Sequence, residues 1–264
     1  MSAFHPKQTF ALGAACSTTL DPRPLVYDTT FMCTFRILPP KRERWSSGVS
    51  LSRHRHREGY VTIVLSGEYD EAGDYGRKRA VAGDVMFHAP FDAHANTMRA
   101  RTTELLSIPL PLWFRPKQPH ARLNDPDAVV IAAEGDPVEA LQMISEMIQP
   151  QNQTTGDWPD NLARAIIAGD VTSLRAWAHD NELNPASLSR GFCRIYGTAP
   201  CRYRLELRSK HAWKRIVDTD QPLSTIAHHM GFSDQAHMSR CIRDLTGHSP
   251  GQWRRLKSFK TPTA

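Results

Sequence analysis

Two sets of residues in this 264-residue chain have the types and spacing to do chemistry. The first lies near the C-terminus, where Gln235, Ala236, His237, Ser239, Arg240 and Arg243 fall off the apolar stripe of Met238, Ile242 and Leu245. Amide and guanidinium groups on the N-terminal face of a short helix can make bidentate hydrogen bonds to base edges and can reach phosphates. The second set lies in the N-terminal half, where His54, His56 and His94 offer three neutral imidazoles, donors suited to Zn, Fe, Ni or Cu. In an extended strand His54 and His56 share one face, and His94 from a neighbouring strand could complete a triad.

The elements that must position the first set form a pair of short helices. Leu223, Ile226, Ala227 and Met230 follow the 3,4 spacing of a buried helical stripe, which Met238, Ile242 and Leu245 repeat after a break. Gly231 can take the positive φ that ends the first helix. Ser233 is expected to cap the second, with Asp234 in its first turn. A polar face on such a helix-turn-helix often meets only water, but here the pattern occurs twice. A shift of fifty residues lays Leu188-Ser189-Arg190 on Met238-Ser239-Arg240, Gly197 on Gly247, Pro200 on Pro250, Tyr203 on Trp253 and Arg204 on Arg254. In the first copy Leu174, Trp177 and Ala178 mark helix one, Asn184 caps helix two, and Pro185 takes the first helical position. Between the copies, Tyr203 to Val217 reads as one basic amphipathic helix. Such a rigid link would present both reading helices to one face of a duplex, about one turn apart.

The region from about Asp160 to Lys257 resembles the tandem helix-turn-helix DNA-binding domain of the AraC/XylS family of bacterial transcription regulators, most specifically through IAHHMGFSDQAHMSRCIRDLTGHSPGQWRR. The resemblance implies base-reading positions at Ala186, Ser189 and Arg190 in the first copy and at Gln235, Ala236, Ser239 and Arg240 in the second. Pro185, Ser187, Arg194, Ser233, Asp234, His237 and Arg243 complete the expected DNA-facing surface. Arg190 and Arg240 suit guanine and Gln235 suits adenine, whereas Ala186 offers only a contact to a thymine methyl. The chain departs from the family in three places. Glu182 stands at the usual turn glycine, so Asn181 is expected to supply the left-handed residue. Ala199 replaces the Ser or Thr cap before Pro200, and Met238 replaces a Phe.

The N-terminal half reads as short strands at Leu25–Tyr27, Phe31–Leu38, Val49–Ser52, Tyr60–Leu65, Arg79–Val81, Asp84–Phe87 and Leu105–Leu110, broken by Gly, Pro and Asp turns as in a barrel or sandwich. Met1 to Asp21 shows little periodicity. A helical stripe of Val138, Leu141, Ile144, Met147 and Ile148 follows; it could cover the barrel, but is read as a dimer contact because regulators of two-fold operators need a self-complementary surface. Gln149 to Asp157 reads as a flexible linker. Gly48, then His54 and His56 after five intervening residues, then Gly67, and later Gly83-Asp84 with His94 ten beyond Asp84, resemble the two motifs of a cupin barrel. In metal-binding cupins these positions carry two His and a Glu, then a third His. His54, His56 and His94 occupy the His positions, and Tyr60 stands where the Glu would be. Two readings stay open: a divalent metal on His54, His56 and His94, or an organic effector pocket lined by these histidines and Tyr60. Arg53, Arg55 and Arg57 alternate with the histidines and are expected to form a solvated outer face.

Charge divides the chain in the same way. From Pro159 onward there are 16 Lys and Arg against nine Asp and Glu, and before it 17 against 18, so basicity is confined to the part assigned to DNA. Five cysteines without CxxC spacing indicate neither a disulfide framework nor a cysteine zinc site. No apolar run approaches a membrane span, and Phe10 to Cys16 is too short for a signal peptide, so a cytoplasmic protein is expected.

The architecture expected is therefore an N-terminal all-β cupin-like barrel over 1–125, a dimerisation helix and linker over 126–158, and an all-α tandem helix-turn-helix domain over 159–264. The function expected is that of a non-enzymatic transcription regulator with double-stranded DNA, a small-molecule effector, a second copy of itself and RNA polymerase as partners. A metal-dependent cupin enzyme is the rival from another class; it accounts for the histidines but leaves the doubled DNA module idle. A ligand-free architectural DNA binder is the third reading.

Overall fold

The computed structural model describes residues 39–111, 114, 116–150 and 156–258. The strands expected at Leu25–Tyr27 and Phe31–Leu38, the stretch Met1 to Asp21, and the middle of the expected linker lie outside these residues. The strands are β1 (Lys41–Ser46), β2 (Ser50–Arg55), β3 (Tyr60–Ser66), β4 (Glu68–Gly73), β5 (Gly76–Val81), β6 (Asp84–His88), β7 (Ala93–Met98), β8 (Thr102–Pro109), β9 (His120–Leu123) and β10 (Ile148–Pro150). They form two antiparallel sheets in the orders β1-β8-β3-β6-β9-β10 and β2-β7-β4-β5. Val64, Met86 and Leu105 from the first sheet meet Tyr69, Ala80 and Met98 from the second in an apolar plug. The result is a cupin-like barrel.

The other face of the larger sheet is also buried, and this fixes the next two helices. Val61, Ile63, Val85, Phe87, Leu106 and Ile108 pack under α1 (Pro126–Gly135) and α2 (Pro137–Met147). Leu141 and Ile144 are fully buried there, with Met147 and Ile148 partly so. The stripe read as a dimer contact is therefore turned onto the barrel, because a sheet with an apolar outer face has to be covered. After α2 the chain returns to the sheet: β10 pairs with β9 through Ile148↔Leu123 and Pro150↔Ala121, so Gln149 and Pro150 are strand rather than linker.

The helical domain comprises α3 (Trp158–Ala168), α4 (Leu174–Asp180), α5 (Pro185–Tyr196), α6 (Pro200–Asp218), α7 (Leu223–His229), α8 (Gln235–Thr246) and α9 (Pro250–Ser258). The fifty-residue repeat is visible in its parts: α5 and α8 end on left-handed Gly197 and Gly247, Pro200 and Pro250 open the following helices, and Tyr203 and Trp253 are both buried. Leu162, Ala163 and Ile166 of α3 complete the core of the first copy with Ala178, Leu188, Phe192, Tyr196, Tyr203 and Leu207. Asn184 caps α5 by accepting from the Ala186 amide. The first turn departs from expectation: Glu182 itself takes the left-handed conformation at φ 56°, whereas Asn181 stays at φ −106°. Asn181 is held by its own amide, which donates to the Trp177 carbonyl and closes the end of α4. Among the described residues no helix is long and apolar enough to cross a membrane.

Two measurements check this account. Leu141→Ala should lower stability by about 2–5 kcal/mol in urea unfolding, as for other buried leucines, while sedimentation shows an unchanged oligomeric state. Glu182→Gly should raise stability by about 1 kcal/mol, since glycine relieves the left-handed penalty at the cost of some backbone entropy.

Candidate nucleic-acid interface and buried histidine cluster

In α5 the burial of Leu188, Phe192 and Tyr196 turns Pro185, Ala186, Ser187, Ser189, Arg190 and Arg194 outward. In α8 the burial of Met238, Ile242 and Leu245 does the same for Gln235, Ala236, Arg240 and Arg243, with His237 and Ser239 half-buried. Ser233 and Asp234 lie exposed at the head of α8, but their roles are reversed from the expectation. Asp234 is the N-cap, its carboxylate accepting from the His237 amide at 2.7 Å, and this bond holds its pKa below the usual carboxylate range. Ser233 instead bonds the Asp234 carboxylate and His237 Nδ1. The carboxylate prevails because it also meets the positive end of the helix dipole. Ser239 donates its hydroxyl to the Gln235 carbonyl at 2.8 Å, which spends its one donor inside the helix. The arginines of α6 are partly structural: Arg204 donates to the Val171 and Thr172 carbonyls, and Arg208 to the Gly231 carbonyl in the second turn.

The barrel docks on α6 through buried charge. Lys210 donates to Asp74 at 2.9 Å and to Asp92 at 2.5 Å; Arg53 pairs with Asp74 at 2.7 Å and with Glu206 at 3.1 Å, and Arg55 with Glu206 at 3.0 Å. Burial raises the Asp74 carboxyl, but Lys210 and Arg53 overcome this and hold it below the usual carboxylate range. Tyr203 donates to the Gly73 carbonyl, and Arg77 pairs with Asp157 and Asp160 around α3. The Arg53 side chain is 6% exposed, so the face read as solvated is an interface. Sequence periodicity placed these arginines outside the barrel correctly, but could not show that a second domain covers them. Strand β2 and the residues just after it also reach the C-terminal ends of α5 and α8: a side chain at Gly197 would strike Arg53, and one at Gly247 would touch the Arg57 guanidinium.

Inside the barrel, strand register gathers the polar donors. His54 lies opposite His94, Gly73 opposite His94, Glu71 opposite Asn96, and Tyr60 opposite His88. Directly opposed residues point to one face, so these side chains converge. His54 Nε2 and Tyr60 Oη lie 3.1 and 3.2 Å from His94 Nε2, and His56 packs edge-on to the His54 and Tyr60 rings. His54, His56, Tyr60 and His94 are thus brought together. The nitrogens of His54, His56 and His94 lie within 4.8 Å of one another and fit a metal ion in number and kind, with a phenol where a cupin carboxylate would stand. A deeper layer was missed from sequence. His94 Nδ1 meets His88 Nδ1 at 3.2 Å, and His88 Nε2 lies 3.7 Å from Glu71 Oε2. The signal was present in Met86 and His88 alternating along β6 and in His88 preceding His94 by six residues.

Burial sets the protonation of this cluster. It pushes His88 down to about 3, while burial and the neighbouring His54 push His56 down to about 4; His120, opposite Met86 on β9, is likewise pushed down by burial to about 4. Burial raises Glu71 to about 8. The histidines thus contribute stability that is present above the unfolded value of 6.5 and lost as pH falls toward their folded values. Glu71 has the opposite sign: the fold favours its protonated form, so its contribution falls as pH rises from 4.5 toward 8. Metal-free protein should lose stability between about pH 6.5 and pH 4. Glu71→Gln should gain on wild type progressively from about pH 5 to pH 8, read by urea unfolding at each pH.

Residues 177–256 match the family model of a helix-turn-helix domain. The chain is 32% identical over 159 residues to the arabinose operon regulatory protein of Escherichia coli (strain K12), covering 54% of each chain. It therefore spans about half the length of that relative. Among solved structures it is similar to a transcriptional regulator of Chromobacterium violaceum with an AraC-type DNA-binding domain, at 28% identity and TM-score 0.30 over 33% of this chain and 77% of that one. It is also similar to ToxT of Vibrio cholerae, at 9% identity and TM-score 0.38 over 82% and 97%. Both superpositions are too distant to bear on function. The matched segment takes in both α5 and α8, so the chain carries a helix-turn-helix domain there.

Proposed function

We propose that the chain is a sequence-specific, double-stranded DNA-binding transcription regulator whose barrel senses a small-molecule effector. The observation that carries the reading is the doubled presentation of Arg190 and Arg240, exposed at equivalent positions of α5 and α8 in two copies linked by helix α6. At about 1.5 Å per residue, the 19 residues of α6 span about 28 Å, near the ~34 Å that separates successive major-groove segments on one face of a duplex. Arg190 and Arg240 read guanine, Gln235 reads adenine, and Ala186 and Ala236 offer methyl contacts. Docking of the barrel on α6 leaves both reading faces exposed.

The effector reading rests on β2. Its inward His54 and the following His56, with Tyr60 and His94, are the residues that would receive the effector, while outward Arg53 and Arg55 hold Glu206 of α6. An effector that favours one position of β2 over another shifts the position of α6 by the same free energy. The chain's own residues bind and transmit; none is assigned a catalytic role. A homodimer on a two-fold operator, contact with RNA polymerase and a cytoplasmic location belong to the same proposal.

The test is binding of the full chain to an operator selected from random duplexes. Arg240→Ala should cost about 1–3 kcal/mol on that operator and relax preference at one base pair, and Arg190→Ala should do so at a second base pair about one turn away. Equal losses on all sequences would reduce both arginines to phosphate contacts and sink the claim of sequence reading.

A further inference from the structure

The deeper layer of the barrel is rich in hydrogen-bond acceptors and poor in donors. Glu71 is 6% exposed, and among the described residues no Lys or Arg pairs with it. Its contacts are the Tyr69 hydroxyl at a long 3.5 Å and His88. The two other carboxylates buried nearby, Asp74 and Asp92, each take a cation from Arg53 or Lys210. Opposite Glu71, on the same face, Asn96 Oδ1 is buried without a hydrogen-bond partner among the described residues. Desolvated oxygens left in this state are costly unless a proton, a donor or a cation joins them.

The histidine tautomers point the same way. His54 Nδ1 lies 2.8 Å from the Ser52 carbonyl and must donate to it, so His54 Nε2 carries a lone pair. That lone pair faces His94 Nε2 at 3.1 Å, which must then be the protonated nitrogen of His94. His94 Nδ1 is left as a lone pair directed inward, toward His88 and Glu71. A histidine that donates one ring N–H to an outer partner and offers the other nitrogen inward has the arrangement of a metal ligand braced by its surroundings.

We infer that Glu71, His88 and His94 hold a divalent first-row transition-metal ion on the floor of the barrel, with Asn96 Oδ1 within the same layer. Their donor atoms lie within 4.8 Å of one another, and two imidazoles with one carboxylate on a single face form a facial triad with open positions. The ion sits inward of the His54, His56 and His94 set marked by motif spacing. His54 braces His94, and His56 and Tyr60 line the approach.

The experiment is zinc titration of chelator-stripped, full-length protein, with Co²⁺ absorption as a second probe. Wild type should bind one ion per chain. Glu71→Gln should weaken binding by about 100-fold or more, beyond the loss usual for an outer-shell partner, and His56→Asn should change it by less than about threefold. X-ray absorption of the zinc-loaded wild type should count two imidazoles rather than three, a readout that holds even where a variant misfolds. No bound ion, three imidazoles on the ion, or an ion kept by Glu71→Gln and lost by His56→Asn would each overturn the assignment. Operator binding by the stripped protein is measured separately, so failure here and failure of the DNA reading are distinguishable.

Discussion

The structure depends on the neutralisation of charge between two domains. Lys210 is buried from the side of α6, and Asp74 and Asp92 from the side of the barrel; none could stay ionised there alone. Arg53 is drawn into the same network because Asp74 and Glu206 both need a cation. Such a cluster adds little net stability over apolar packing, but tolerates few alternative alignments, since displacing one member strands the others. It therefore defines where the barrel sits on the linking helix more sharply than apolar contacts such as Phe91 against Trp213 could.

The barrel interior shows the complementary situation. One end is filled by Val64, Tyr69, Met86 and Met98, which gives the sheets a dry core. The layer above carries Glu71, His88, His94 and Asn96, where apolar residues would have been more stabilising. A fold that retains buried polar groups without full pairing keeps them for a ligand or bears their cost without return. Gly73 belongs to the same design: a side chain there would come 3.1 Å from the His94 Cβ and displace the imidazole.

What could be read from sequence follows the same physics. The helical domain was legible because its apolar periodicity is undisturbed and recurs after fifty residues, as Leu188 and Met238 show. Strands β3, β6 and β8 were legible because burial on both faces leaves a near-continuous apolar run. Strands β4 and β7 were not: their inward positions hold Glu71, His94 and Asn96, so the alternation that marks a strand is erased where the site lies. Strand β1 was hidden differently, since KRERWS carries the charges expected of a sheet edge. His54, His56 and His94 were found through motif spacing, whereas His88 and Glu71 become partners only through register. The cap exchange between Ser233 and Asp234, and the left-handed Glu182, turn on local bonds that no periodicity encodes.

Strand β2 places a constraint on how this protein can change over evolutionary time. It carries a register shift between Leu51 and His54; at its C-terminal end His54 and the following His56 face the barrel interior, while Arg53 and Arg55 face the helical domain. Inserting or deleting a single residue in this alternating end would invert the side chains beyond it, sending imidazoles to the domain interface and guanidinium groups into the barrel. Substitutions at alternate positions can alter the barrel interior and the interdomain grip separately, but a length change in this end of the strand exchanges the two faces. Variation in length among descendants of this sequence should collect in the turns flanking β2 and at its register shift, leaving the alternating end a fixed ruler between the barrel interior and the helical domain.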